Sequence, residues 1–357
     1  MYIKPSETIE TPALLIDLAA VRRNIDLMSA FLEGRPIRLR PHFKTAKIPE
    51  IAQMQIEAGA KGITCATVGE AEVLADAGID DILIANQVAA PSKTERVAEL
   101  AGRVPHLVIA VDSSDNVIEL SDACSRAGTS LSVYVELDVG MGRCGVRSYE
   151  EGFAVARAVI DAPNLVFEGI QAYEGHLVTN PDSRIRGDGV RELFLQTGGF
   201  KNYLQDNGVP VKEVSGGGTG TYALTGAGDL YTELQAGSYI YMDGKYDKLG
   251  LPFEYALFVL GMVISKGPGS AVLDMGLKSV STDNGYPLAI GLEESGMRLS
   301  EEHCTLEDPF DRLKVRDTVL FIPSHCCTTI NIYDMAYGIR DGGVEKVFEV
   351  KGRGKSR

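Results

Sequence analysis

"GITCATVGEAEVLADAGIDDILIAN", residues 62–86, carries the pattern that decides the fold. A short β-rich run, "GITCA", passes into a segment with apolar residues at helical spacing. That segment stops at a glycine, and a second apolar run, "DILIAN", follows. Glycine closes helices because it enters the left-handed conformation without steric cost. Short apolar strands joined by helices are those of a parallel sheet. The unit recurs in both directions, as "ALLID" and "IRLRPHF" before it and "HLVIAVD", "SLSVYVELD", "LVFEGIQAY" and "VKEVSGGG" after it. Helical segments such as "IPEIAQMQIEAG", "SKTERVAELAG" and "NVIELSDACSRAG" lie between these runs. About eight strands result, with the last place open between "ALLID" and "TELQA" (Thr232–Ala236). Eight β-α units favour a closed (β/α)8 TIM barrel over a doubly wound open sheet, and no GxGxxG follows the first strand.

Past about Tyr246 the rhythm changes. "YALFVLGMVIS", "SAVLDMG", "PLAIGLE", "TVLFIPSH" and "MAYGIRDGGVEKVFEV" read as strands joined by turns, with "DGG" a hairpin tip. The expected division is a barrel over residues 12–245 and a mainly antiparallel β-domain over 246–357, to which residues 1–11 can attach.

Composition narrows the function classes. A formal net charge of −14 opposes nucleic acid and anionic membranes as partners. No apolar run is long enough to span a bilayer, and "MYIKPSETIETP" lacks the apolar core of a signal peptide. Six scattered cysteines without small-scaffold spacing suit reduced thiols in a cytoplasm. These features predict a cytoplasmic enzyme.

Five strand-end or strand-adjacent motifs carry candidate chemistry. Lys44 in "RPHFKTAK" lies one residue past "IRLRPHF", where a barrel places catalytic groups. A desolvated lysine there is a nucleophile; the same spacing also suits a solvated loop lysine. Lys47 reads as structural or close to a phosphate. In "SGGGTGTY" (residues 215–222) consecutive glycines present N–H groups to an anion, or simply make a tight turn. Paired with a strand-end lysine, a phosphate cup suggests pyridoxal 5'-phosphate. In "PSHCCTT", an extended backbone points His325 and Cys327 the same way and Cys326 oppositely, as two ligands of a divalent ion or as a buried thiol beside a hydrogen-bonded histidine. In "DVGMGRCGV" Arg143 can reach a ring nitrogen or a carboxylate, or pair with Asp138. "AYEGH" offers Tyr173 and His176 at the next strand end.

Together these motifs resemble the D-threonine aldolase / D-serine dehydratase-like family, pyridoxal-phosphate enzymes of the alanine-racemase fold type. The likeness runs through nearly the whole chain in order: "TPALLIDL", "RPHFKTAK", "EAEVLADAGIDDILIANQV", "GMGRCGV", "GIQAYEGH", "SGGGTGT", "YTELQAGSYIYMD", "LDMGLKS", "EEHC" and "PSHCCTT". The resemblance implies Lys44 as the lysine that holds the cofactor aldehyde. It implies Gly217, Gly218 and Thr219 around the phosphate with Tyr239 nearby, and Arg143 and Tyr173 flanking the ring. A divalent metal on His325 and Cys327 is implied too, as is a homodimer with shared active sites.

The sequence departs from the family's aldolases twice. The second metal position holds Cys327, the option of the dehydratases, where the aldolases usually carry Asp; sulfur favours zinc over manganese or magnesium. The position of the aldolases' hydroxyl base is Thr179, which leaves His176 as the candidate catalytic base. The expected activity is a lyase on β-hydroxy-D-amino acids, by dehydration and deamination or by retro-aldol cleavage, with Cys327 tilting toward elimination. Rival readings are an amino-acid racemase on the same scaffold, a non-catalytic pyridoxal-phosphate carrier and a cofactor-free sugar-phosphate barrel.

Overall fold

The computed structural model describes residues 9–357. The described chain divides into two compact units. One holds residues 29–44, 49–237 and 355–357; the other holds residues 9–28, 45–48 and 238–354. The expected boundaries at 12–245 and 246–357 are therefore shifted. The reason lies in "ALLID", which forms β1 (Ala13–Asp17), and in the pairing that β1 finds. It runs antiparallel to β10 (Leu257–Gly267) and parallel to β16 (Met335–Arg340), so the start of the chain belongs to the β-rich unit. Of residues 1–11, those numbered 1–8 lie outside the described residues.

The first unit is the barrel. Its strands are β2 (Arg38–Leu39), β3 (Ile63–Cys65), β4 (Asp81–Ile84), β5 (His106–Val111), β6 (Leu131–Glu136), β7 (Leu165–Gln171), β8 (Glu213–Gly216) and β9 (Glu233–Leu234). All neighbours are parallel, in the order β2-β9-β8-β7-β6-β5-β4-β3. The ring closes through a parallel bridge between His42 and Thr64, and the Thr64 N–H donates to the Pro41 carbonyl at 3.0 Å. "TELQA", not "ALLID", thus fills the eighth place among the described residues.

Local sequence sets the helices between the strands. Thr67, Ser113 and Ser148 accept a backbone N–H of the first turn at the starts of Val68–Asp76, Ser114–Ala127 and Tyr149–Asp161. Gly128, at φ 68°, ends the second of these in the left-handed conformation.

The basic cluster around Lys44 is taken apart by this topology. Arg40 is 1% exposed and pairs inside the barrel with Asp81 at 2.5 Å and Glu233 at 3.0 Å. Arg38 pairs with Glu213 at the surface.

The second unit is a sheet of nine strands among the described residues: β1, β10, β11 (Ser270–Leu273), β12 (Leu288–Ala289), β13 (Met297–Leu299), β14 (Cys304–Glu307), β15 (Thr318–Ile322), β16 and β17 (Gly343–Glu349). Apart from β1 with β16 the pairs are antiparallel. The β16–β17 hairpin turns on Asp341 and Gly342, both at positive φ, as the "DGG" tip requires. Lys47 sits in this unit at φ 51° and donates to the Gly352 carbonyl at 3.0 Å, a structural role. Among the described residues no helix is long and apolar enough to cross a membrane.

Candidate active site

The barrel unit has a cavity of about 190 Å³ lined by His42, Lys44, Ala66, Ala85, Asn86, Arg143, Gln171, Tyr173 and Gln235. Each lies at, or just past, the C-terminal end of a barrel strand, where parallel barrels gather their chemistry. Lys44 follows β2 in a single helical turn, Phe43–Ala46. The Lys44 Nζ stands 5.9 Å from the centre of the Tyr173 ring, and the Arg143 guanidinium stands at the same 5.9 Å. Three of the residues singled out in the sequence therefore share one cavity. His42 sits beside them; its Nδ1 accepts the Lys44 N–H at 3.4 Å.

A carboxylate underlies this cavity. Glu136, the last residue of β6, is 4% exposed and accepts Gln87 Nε2 at 2.6 Å. Burial raises its pKa above the usual carboxylate range, and Gln87, Arg143 and Gln171 act against that. The expected partner of Arg143, Asp138, instead accepts the N–H groups of Gly140 and Gly142 and shapes the loop that carries the arginine.

The glycine turn differs from expectation. The Gly217 N–H donates to Glu174 at 3.0 Å, and the Gly218 N–H donates to Thr221 Oγ1 at 3.1 Å. Both groups expected to face an anion are thus committed within the protein. The turn is nonetheless built for glycine. A Cβ on Gly217 would meet Leu234 at 2.5 Å, and one on Gly218 would meet Val178 at 2.5 Å. Thr219 follows, 1% exposed. Glu174 also accepts Thr221 Oγ1 at 2.6 Å and Thr225 Oγ1 at 2.9 Å. Sequence reasoning passed over Glu174 between Tyr173 and His176, although a carboxylate ahead of a Gly/Thr-rich turn was a usable signal. His176 is exposed and does not line the cavity; an added Cβ on Gly140 would lie 3.5 Å from its Nε2.

The β-rich unit holds the other motif. The segment is not extended throughout: His325 precedes a short helix, Cys326–Ile330. His325 keeps extended angles and the helical turn brings Cys327 toward it, so the pair meets by a different route from strand alternation. Cys326 is buried, and its N–H donates to Asp243 at 2.7 Å. Burial holds the Asp243 carboxyl up at about 6. The Nδ1 of His325 lies 2.6 Å from Asp283 Oδ2 and 3.0 Å from Asn284 Nδ2. Burial lowers the His325 imidazole, but Cys327 and Asp283 outweigh it and carry the group to about 9. Cys327 Sγ lies 3.1 Å from Thr45 Oγ1, the residue after Lys44 in the chain. A histidine fixed at Nδ1 by a carboxylate and placed beside a thiol suits a metal held through Nε2 and Sγ. No cluster of three or more His, Cys, Asp and Glu side chains that could hold a metal occurs among the described residues. Such an ion would keep open positions. Tyr239 is fully buried in this unit, its ring centre 5.4 Å from that of Phe253.

Comparison with known proteins agrees with this arrangement. The family "Alanine racemase, N-terminal domain" matches residues 16–245, and a serine dehydratase domain family matches residues 256–339. The chain is 38% identical to 3-hydroxy-D-aspartate aldolase of Paracoccus denitrificans (strain Pd 1222), over 97% of this chain and 93% of that protein. The structure of D-threonine aldolase from Filomicrobium marinum superposes with a TM-score of 0.94 at 35% identity, covering 98% of this chain and 96% of the other. D-threo-3-hydroxyaspartate dehydratase from Delftia sp. HT23 superposes with a TM-score of 0.87 at 28% identity, covering 96% and 97%. A barrel with a lysine among its strand ends and matches running the length of both units lead to one conclusion: the chain belongs to the D-threonine aldolase / D-serine dehydratase-like family of pyridoxal-phosphate lyases, on the alanine-racemase fold.

Proposed function

We propose that the protein cleaves the Cα–Cβ bond of a β-hydroxy-D-amino acid, giving glycine and an aldehyde, with pyridoxal phosphate on Lys44 and a divalent ion on His325 and Cys327. The observation that carries this is the Lys44 amine in a cavity of strand ends, 5.9 Å from the Tyr173 ring. When bound, the cofactor supplies an electron sink for the pair released at Cα. The ion supplies Lewis acidity at the substrate hydroxyl, and a sulfur ligand makes zinc the fitting choice over manganese or magnesium.

The protein's own groups do the rest. Lys44 would hold the cofactor aldehyde through its amine, and that amine can also carry protons. Tyr173 and Arg143 would flank the ring, and Gly217, Gly218 and Thr219 would shape the phosphate end. Asp283 fixes the His325 imidazole by its Nδ1, which leaves Nε2 for the metal. His42 is the imidazole of the cavity lining and takes the acid–base role first expected of His176. The active form is proposed as a homodimer in the cytoplasm; none of the six cysteines is in a disulfide among the described residues, which fits a reducing compartment.

The greater identity to the two aldolases favours carbon–carbon cleavage. Elimination to a keto acid and ammonia is the second reading, favoured by Cys327 at the position where the dehydratases carry cysteine. The test is incubation with 3-hydroxy-D-aspartate, D-threonine and D-serine, with and without chelator. Glycine plus aldehyde, lost on chelation, supports the proposal. Keto acid plus ammonia replaces it with the second reading, and an L-amino acid insensitive to chelator overturns both.

A further inference from the structure

Glu136 is a buried carboxylate that no step above uses. It closes β6 beneath the cavity without lining it. Its Oε2 accepts Gln87 Nε2 at 2.6 Å, and Gln171, which does line the cavity, bonds to it as well. Its Oε1 lies 3.8 Å from Arg143 Nη2. The charged and titratable neighbours are Arg143, Asp112 and Cys144. Asp112 is itself engaged, accepting the Gly145 N–H at 2.9 Å.

The loop around Arg143 is thus pinned at Asp138 and at Asp112, but those contacts fix its backbone and leave the guanidinium unplaced. The Arg143 side chain is 46% exposed, whereas that of Glu136 is 5% exposed. A long, exposed side chain explores many rotamers unless something holds it. A carboxylate clamped by two glutamine amides cannot follow the arginine, so the arginine follows the carboxylate. At 3.8 Å the pair attracts by charge and leaves N–H donors of the guanidinium for a ligand.

We propose that Glu136 is a positioning residue that holds Arg143 over the cavity and so fixes the guanidinium that would meet pyridoxal phosphate bound at Lys44. The inference rests on pyridoxal phosphate binding at Lys44, and its test separates the two.

The holoenzyme, Glu136→Gln, Arg143→Met and the double variant are compared by two readouts: the rate of cofactor release into an excess of a scavenging apoenzyme, and the absorption maximum of the lysine-bound cofactor. Glu136→Gln should speed release about tenfold and shift the band, while adding less than about twofold in the Arg143→Met background. Gln87→Ala loosens the same clamp from outside and should act in the same direction, again only while Arg143 is present; it serves if Glu136→Gln does not fold. An effect of equal size with and without Arg143, or no effect of Glu136→Gln in a folded protein, overturns the inference. A wild-type protein with no cofactor band that depends on Lys44 overturns instead the functional reading beneath it.

Discussion

The Glu174 carboxylate accepts the Gly217 N–H at 3.0 Å and so ties the loop after β7 to the glycine turn after β8. Glu174 is fully buried, and the hydroxyls of Thr221 and Thr225 also point to it. Glu174→Ala takes the acceptor from the buried Gly217 N–H and Thr225 hydroxyl, while the Thr221 hydroxyl keeps the Gly218 carbonyl at 3.3 Å. Each buried donor left without an acceptor costs about 1–3 kcal/mol, so the variant should lose about 2 kcal/mol of stability or more. Thr221→Val removes one donor along with its own acceptor role toward Gly218 and should cost less. Urea unfolding monitored by circular dichroism measures both; an unchanged midpoint for Glu174→Ala would show that the bridge is not a mainstay of the turn.

Lys44→Ala should abolish the near-visible absorption of lysine-bound cofactor and cut turnover about 10³-fold or more, since it removes both the covalent hold and a proton carrier. His42→Ala should leave the band in place and reduce turnover about 10²-fold, as for loss of an acid–base group. His176→Ala, at an exposed ring outside the cavity, should be close to wild type. Steady-state kinetics with spectra of the same samples separate the three.

Much of this was legible in the sequence because periodicity and strand ends are local properties. The βαβ rhythm of residues 62–86 gives the parallel barrel, and one residue past "IRLRPHF" gives Lys44 its place. What was not legible depends on pairing over long separations. "ALLID" looks like any barrel strand; only its register with β10 and β16 assigns it to the other sheet. The glycine turn looked like an open anion cup because nothing nearby announces that Glu174, 43 positions away, claims the Gly217 N–H. His325 and Cys327 were paired by strand alternation, whereas a helical turn brings them together.

Metal retention should follow the His325–Cys327 pair. His325→Ala and Cys327→Ala are expected to lose bound metal on dialysis and, with it, turnover. Asp283→Ala removes the carboxylate 2.6 Å from His325 Nδ1 and should weaken metal binding about 10–100-fold without touching a ligand. Cys327→Asp replaces a soft ligand by a hard one and should shift preference from zinc toward manganese or magnesium. Metal content by mass spectrometry, after equilibration against each ion, reads all four; zinc retained at full occupancy in Cys327→Ala would remove this residue from the site.

Acid stability should report on the barrel's buried charge cluster. Glu233 is fully buried; burial alone would raise its pKa, but Arg40 at 3.0 Å and Lys61 at 2.6 Å bring it down to about 2. In the unfolded chain a glutamate titrates near 4.3. Because the folded value is the lower one, the stabilisation is complete above the unfolded value and is lost as pH falls through the folded one. A depression of this size corresponds to about 3 kcal/mol. Urea midpoints of the wild type should therefore fall between pH 4.5 and 2, beyond the change caused by the surface carboxylates. Glu233→Gln leaves Arg40 with only Asp81 and should be about 3–5 kcal/mol less stable at neutral pH. Its deficit should shrink toward pH 2, where the wild-type carboxylate is itself becoming protonated. A deficit that stays constant across that window would mean that shape, rather than charge, is what Glu233 contributes to the barrel.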